Sequence, residues 1–356
     1  MRMATYRPCG TRNFTYEQDM AVIRTPFHWG VLVVGLIVLF ASPLWGSPVT
    51  VNLMNYVGIT VIAALGLTIL TGFCGQISIG QSAFMAVGAY VVGYLANRDV
   101  NFLVALPAGA VFTGLVGIVF GLPSVRIKGF YLAMATLAAQ FVIPALIAHP
   151  LAPLTGGTDS LRVPPPQIWG LVCDRPSSLF LVVMPITVLL IFFAVNLSRT
   201  GIGRAFVAIR DDDLAAEVMG INVFRYKLLA FFICSAYAGM AGGLWAYWLR
   251  SINPEQFTLS DSILYLAMLI VGGMGSVIGA VFGAIALRVL HHSLLSFSLS
   301  ITSLFPGWAS STGIQQALPP IVFGAMIVLF LVYEPRGLAH RWEVLKSSYR
   351  LRPFSY

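Results

Sequence analysis

The sequence predicts an all-α polytopic membrane protein, a bundle of about nine to ten transmembrane helices with a broken or re-entrant segment near residues 72–82. Three observations carry this. Of 356 residues, 58% are hydrophobic and 10% charged, against roughly 25% charged in an average soluble chain. No Asp, Glu, Lys or Arg occurs between His28 and Asn97. Apolar runs of about twenty residues, the length that crosses a hydrocarbon core of about 30 Å, recur along the chain.

The first 26 residues contain Arg2, Arg7, Arg12 and Arg24 and no apolar run, so residues 1–26 read as a polar tail. The apolar segment after them lacks the short h-region and cleavage site of a signal peptide. Spans follow at 27–45, 50–71, 76–96, 102–122, 129–149 and 178–197. A charged loop, 198–225, separates them from 226–249, a longer stretch 261–290, and 314–333. Residues 27–333 thus form one transmembrane domain, and 334–356 a second polar tail.

Orientation follows from the basic residues, which remain preferentially in cytoplasmic loops. The N-terminal tail holds four; Arg126 and Lys128 follow; Arg199, Arg204, Arg210, Arg225 and Lys227 flank the charged loop; Arg336, Arg341, Lys346, Arg350 and Arg352 close the chain. The loops of opposite parity hold only Arg98, Arg162, Arg175 and Arg250. Both termini and the 198–225 loop are therefore expected in the cytoplasm of a cell whose inner membrane holds the protein. Nine crossings would leave the C-terminal tail outside, so a tenth is expected. Either 261–290 breaks at Gly272, Gly273, Met274 and Gly275, or 293–310 crosses as well, and the sequence leaves both open.

Several function classes drop out. Cys9, Cys74, Cys173 and Cys234 are too scattered for a disulfide scaffold. The net charge of +8 has its common membrane-protein cause in cytoplasmic loops, so nucleic acid is not an expected partner. The phosphate-cradling G-x-x-x-x-G-K-[ST] pattern is absent, His and Cys do not fall at zinc-ligand spacing, and no Ser, His and carboxylate constellation stands out. No cofactor is expected on this chain. Asp99, Asp261, Arg288 and Glu334 sit at or near predicted span ends, leaving the centres neutral, which argues against a proton relay or voltage sensor. Gly239 with Gly243, and Gly275, Gly279 and Gly283, form the four-residue ladders of closely packed helices.

The stretch from Gly72 to Ser82, GFCGQISIGQS, places three glycines, two glutamines and two serines inside the chargeless region. Irregular backbone at membrane depth persists only where protein or a water-filled cavity surrounds it, and broken helices commonly build transporter substrate sites. Gln76, Ser78, Gln81 and Ser82 are therefore candidate pathway residues, as are Thr136 and Gln140 in the 129–149 span. A re-entrant turn or polar contact between helices, with no substrate, explains the same residues. For Thr136 and Gln140 taken singly, a satisfied interhelical hydrogen bond is the commoner arrangement.

The 198–225 loop reads as two short helices. Asp211, Asp212 and Asp213 suit the N-terminus of the second and Gly220 its C-terminal cap. Such a helix is too short to stand alone, so Leu214, Val218 and Met219 need a partner surface.

Here the chain resembles the permease subunits of ATP-binding-cassette importers, whose cytoplasmic loop carries Glu-Ala-Ala, three residues, then Gly. Ala215, Ala216 and Gly220 keep that spacing, with Leu214 in place of Glu. Further stretches resemble the branched-chain amino acid permeases: Gly75 to Phe84 through Gly88-Ala89-Tyr90, Gly129 to Leu137, Asn253-Pro254 followed by Gly272 to Ser276, and Glu334 to Leu338. Together they cover residues 50–345. The resemblance implies alternating access driven by ATP and Mg on two separate cytoplasmic ATPase subunits. It also implies a second, homologous permease and a periplasmic substrate-binding protein. It makes Arg210, Asp211, Leu214, Ala215, Ala216 and Gly220 the ATPase-coupling residues. Branched-chain amino acids are the expected substrates. A urea or amide importer and an ATP-independent small-solute channel or facilitator are the alternatives.

Overall fold

The computed structural model describes residues 26–125, 129–168, 171–304 and 337–351, with isolated helical positions between 321 and 333. The N-terminal tail to residue 25 and most of the 314–333 span lie outside the described residues, as do 334–336 and the last five residues of the second tail. The described residues are helical nearly throughout, as in an all-α membrane protein, and five of the described helices are long and apolar enough to cross a bilayer.

Helix α1 (Pro26–Trp45) leads to α2 (Pro48–Leu67), started by the Ser47 side chain accepting from the Thr50 N–H. A π-helical turn, Thr68–Phe73, prolongs α2. Then come α3 (Gln81–Ala96), α4 (Phe102–Gly121), α5 (Phe130–Ala148) and the single turn α6 (Ala152–Thr155). After a loop with three short strands come α7 (Pro176–Leu197), α8 (Gly201–Asp211), α9 (Asp213–Val218), α10 (Val223–Leu249), α11 (Leu259–Gly272), α12 (Val277–Leu304) and α13 (Gly337–Leu351).

Two expectations from sequence change here. The 76–96 span is helical only from Gln81, because Gly75 turns the backbone into the left-handed region at φ +71° and residues 75–80 lie outside any helix. The 261–290 stretch is two helices. It breaks at Gly273 (φ +110°) and Gly275 (φ +85°), the first of the two alternatives, while the 293–304 part simply continues α12.

The ends of the helices sort onto two faces. One carries Arg199, Arg204, Arg210 and Arg225 with α8, α9 and the start of α13, and is called here the basic face. On the opposite face β1 (Leu161–Arg162) pairs antiparallel with β4 (Ser251–Ile252), and β2 (Gln167–Ile168) with β3 (Leu171–Val172). There the Arg250 side chain pairs with Asp174 and donates to the Cys173 and Asp174 carbonyls, and Asn97 donates to the Arg162 carbonyl at 3.0 Å. Arg98, Arg162, Arg175 and Arg250 thus all lie at one end of the bundle.

Helix α10 is the central element. It packs on α2, α3 and α4, and the contacts are backbone to backbone. A Cβ at Gly88 would run into Gly239 of α10, and one at Gly242 into the Met85 carbonyl. A Cβ at Gly121 would lie 2.7 Å from the Phe231 ring, and one at Gly239 2.6 Å from the Thr113 hydroxyl. In the second crossing, Gly279 and Gly283 of α12 lie against Gly272 and Met268 of α11. Both glycine ladders therefore bring helices into close contact, as the spacing predicts.

Candidate functional site

Helix α3 has 16 residues and α11 has 14. At 1.5 Å per residue these span about 24 and 21 Å, short of a core of about 30 Å. Each crossing is completed by irregular chain: 74–80 rises from the basic face to α3, and 253–258 descends from the opposite face to α11. The two helices begin near mid-depth, about 15 Å along α5 from its basic end, and run to opposite faces. Their N-termini meet at Gln140. Its Oε1 accepts from the Ala83 N–H (3.1 Å) and the Ser262 hydroxyl (2.8 Å), and its Nε2 donates to the Phe257 carbonyl (2.9 Å). The Ser262 oxygen in turn accepts from the Ser82 N–H at 2.9 Å. One amide side chain thus joins both discontinuous segments.

The remaining polar residues of the first segment are placed by the same logic. Thr136 Oγ1 accepts from the Ile79 N–H (3.0 Å) and donates to the Ala133 carbonyl (3.0 Å). Gln81 is fully buried, donating to the Ala63 carbonyl at 2.8 Å. Ser78 is buried, its oxygen 3.5 Å from the Gly80 N–H. Gln76 is half-buried, its side chain 3.4 Å from the Cys74 carbonyl. The Gln81, Thr136 and Gln140 side chains and the Ser82 N–H have partners within the protein, whereas Gln76 and Ile77 border the surface. Around the start of α11, Glu255, Gln256, Thr258 and Ser260 are exposed although they lie on the segment that descends from the face to mid-depth. Replacing Gln140 by Leu is expected to leave the Ala83 N–H, the Ser262 hydroxyl and the Phe257 carbonyl without this partner, costing roughly 2–4 kcal/mol. Thermal unfolding of purified protein checks this; an unchanged transition would show that the junction tolerates separation.

At the basic face the two breaks touch each other. A Cβ at Gly72 would lie 2.7 Å from the Gly275 nitrogen. Arg210, near the end of α8, reaches both. Its Nη1 donates to the Gly72 carbonyl at 3.0 Å, its Cγ would lie 2.8 Å from a Cβ at Gly75, and its Nη1 3.3 Å from one at Gly275. Asp211 holds the guanidinium through Oδ1 at 2.9 and 3.0 Å. The Gly337 end of α13 packs on Gly272 and Gly273 of the same joint.

The loop beyond is as its residues dictate. Asp212 caps α9, accepting from the Leu214 and Ala215 N–H groups. Gly220, at φ +87°, closes it in a Schellman arrangement, with Ile221 N–H to Ala216 C=O and Gly220 N–H to Glu217 C=O. Ala216 is buried against the protein. Buried Lys227 of α10 pairs with Asp213 at 3.4 Å. Leu214, Ala215, Val218 and Met219 point away from the chain, Val218 with 87% of its surface exposed.

The expectation of neutral span centres does not hold. Reading 261–290 as one span puts Arg288 and Asp261 at its ends. The break at Gly273 instead places Arg288 twelve residues into α12 and Asp261 in the first turn of α11, which starts inside the bundle. Asp261 closes a capping box with Thr258. Arg288 is 3% exposed, with Nε donating to Thr60 Oγ1 at 3.0 Å and its guanidinium 4.1 Å over the Tyr56 ring and 5.7 Å from that of Tyr265. Among the described residues it has no ion pair. A central Arg costs about 2.5–3.5 kcal/mol on insertion scales, and a desolvated cation–π contact returns about 2. Arg288, Ser262 and Asp261 are the functional candidates that the sequence reading missed. The signals were the Gly-Gly-Met-Gly break and the Thr258-x-x-Asp261 cap.

Residues 49–331 match the family described as the permease component of branched-chain amino acid transport systems. The chain is 29% identical to the high-affinity branched-chain amino acid transport system permease protein LivM of Escherichia coli (strain K12), covering 86% of this chain and 74% of that protein. It is 24% identical to a probable LivM of Methanocaldococcus jannaschii, over 80% of this chain and 92% of the relative. The ribose import permease protein RbsC of E. coli is 24% identical over 68% of this chain and 76% of its own. The match over most of its length, on a helical bundle with two discontinuous crossings, places the chain in the family of branched-chain amino acid transport permeases.

Proposed function

We propose that this chain is one of two homologous permease subunits of an ATP-binding-cassette importer that carries branched-chain amino acids across the inner membrane. Its basic face, with both polar tails, is cytoplasmic. One observation carries the reading: a residue of the charged loop, Arg210, touches both the break from which the first discontinuous crossing starts and the break at which the second ends. A push on the loop thereby reaches mid-depth, where alternating access needs it.

The roles follow. Leu214, Ala215 and the α9 end near Gly220 offer the surface for an ATPase subunit, Ala216 anchors the helix, and Arg210 with Asp211 relays its displacement. Two such ATPases bind and hydrolyse ATP with Mg; this chain supplies no phosphate site. A periplasmic binding protein delivers the substrate to the opposite face. Gln76, Ser78, Gln81, Ser82, Thr136 and Gln140 shape the pathway by fixing the two segments rather than by offering free hydrogen-bonding groups. The exposed polar residues around Thr258 support a pathway along the outer side of α11, because such groups are costly against lipid.

The test is uptake of labelled leucine and, in parallel, urea, into vesicles holding the reconstituted complex and its binding protein. Leucine uptake that vanishes without ATP is expected. Urea uptake alone would overturn the substrate, and flux of either solute without ATP would replace the importer by a facilitator.

A further inference from the structure

We infer that Arg288, with the aromatic cluster of Tyr56, Trp245 and Trp248, is a binding site for the carboxylate of a small apolar solute in transit. The inference rests on the importer reading and assigns its substrate contact. Two independent observations lead to it. The first is the cation. The Arg288 guanidinium gives its Nε–H to Thr60 and hydrogen-bonds the Tyr56 and Tyr265 side chains, all of them neutral partners. Arginine presents its outer N–H groups as a planar fork that matches a carboxylate, and that fork has no anion among the described residues.

The second is the Trp245 Nε1–H, a buried donor with no hydrogen-bond partner. Trp245 packs against the same tyrosine as Arg288, its ring centroid 5.3 Å from that of Tyr56. A guanidinium with no ion pair among the described residues and an indole N–H with no acceptor, both against the Tyr56 ring, call for an anion, and buried polar groups left unpaired are rare enough to need a reason. Trp248 stacks on Tyr56 at 5.2 Å and 4° and is itself held by Asn52, to which its Nε1 donates at 2.7 Å. Tyr56, Trp245 and Trp248 are only half-buried, so the cluster is open toward the opposite face while the cation lies at its inner end. A carboxylate drawn to Arg288 and the Trp245 N–H would leave an aliphatic side chain on the half-buried side of the cluster. The residue at 288 also reports on the junction: Tyr265 lies one helical turn beyond Ser262 on α11, so an anion drawing on Arg288 acts beside the Gln140 contact.

A purely structural staple between α2, α11 and α12 would be indifferent to the solute's carboxylate. The experiment therefore uses the whole complex in nanodiscs without its binding protein. Binding of labelled leucine is competed by leucinamide, which lacks the carboxylate, and by 4-methylvalerate, which keeps it. Wild type is expected to bind leucine and to lose it to 4-methylvalerate but not to leucinamide. Arg288→Gln should weaken leucine binding at least about tenfold and Trp245→Phe, which removes only the N–H and shrinks the ring, by about threefold or more. ATPase co-purification should match wild type, which shows that the variant complexes assemble. Equal competition by leucinamide, or an assembled Arg288→Gln complex that binds leucine normally, overturns the site. If Arg288→Gln does not assemble, the competition order in wild type and the Trp245→Phe result decide. No leucine binding in nanodiscs alongside intact ATP-driven leucine uptake also overturns the site and leaves the importer standing; absent ATP-driven uptake removes the importer reading itself.

Discussion

Gly242→Val is expected to leave almost no folded protein in the membrane, while Gly35→Val leaves the wild-type amount. At Gly242 a Cβ would fall inside the van der Waals envelope of the Met85 carbonyl oxygen, 2.7 Å from its carbon and 3.0 Å from the Ala89 nitrogen. All three are backbone atoms of α3, so no rotamer change relieves the clash, and the two helices must separate. Separation breaks the neighbouring Gly88 to Gly239 contact too, and with it the seam that buries Ala86, Ala89, Ala238 and Ala241. The cost exceeds the roughly 1–3 kcal/mol of an ordinary overpacked site, a large share of a total stability of about 5–15 kcal/mol. At Gly35 in α1, nothing lies within 4 Å of the added atom. Yield and size-exclusion profile of the detergent-solubilised variants measure the difference. A normal profile for Gly242→Val would mean that α3 and α10 do not cross as closely as described.

Arg210→Ala is expected to separate ATP hydrolysis from uptake. Its ion pair with Asp211 is between two side chains 39% and 63% exposed and adds little stability. The variant should therefore fold, assemble with its ATPases and hydrolyse ATP. The bond to the Gly72 carbonyl is a different matter, because it is the polar tie from the loop to the break at 72–75 and it is made beside Gly275. A hydrogen bond from a charged donor is worth roughly 1.5–3 kcal/mol, and spent on coupling this amounts to a fall of about tenfold or more in leucine transported per ATP. Arg210→Lys, unable to reach two groups with one fork, should fall between. An unchanged ratio of transport to hydrolysis in Arg210→Ala would assign the coupling to other contacts.

How much of this was legible in the sequence depends on whether a feature is local. Composition alone sets the class, and the glycine, glutamine and serine cluster at 72–82 marks the first break because polar irregular backbone has few reasons to exist inside a membrane. The caps of α9 are legible for the same reason: Asp212 and Gly220 act within one turn of themselves. Arg288 was not, since its depth depends on where α11 stops, and an apolar run gives no sign of interruption except the glycines at 272, 273 and 275. The Gln140 junction lies further out of reach. It joins residues 57 and 122 positions from it in sequence, as its bonds to Ala83 and Ser262 require, and no periodicity in any one segment encodes such a meeting. Arg210 is intermediate, since its motif context identifies the loop while its grip on Gly72 exists only in three dimensions.

The ties on the opposite face have a mechanical consequence. The strand pairing of 161–162 with 251–252, together with Arg250 on Asp174, fixes the outer end of α10 to two neighbouring loops. The inner end of the same 27-residue helix carries Lys227 and, through it, α9. A rod about 40 Å long held at one end is a lever with its fulcrum at that face, and a tilt of about 5° there sweeps the basic-face end through about 3.5 Å. Displacement is thus greatest at the base of the bundle, where Gly72 and Gly275 meet and Arg210 grips them.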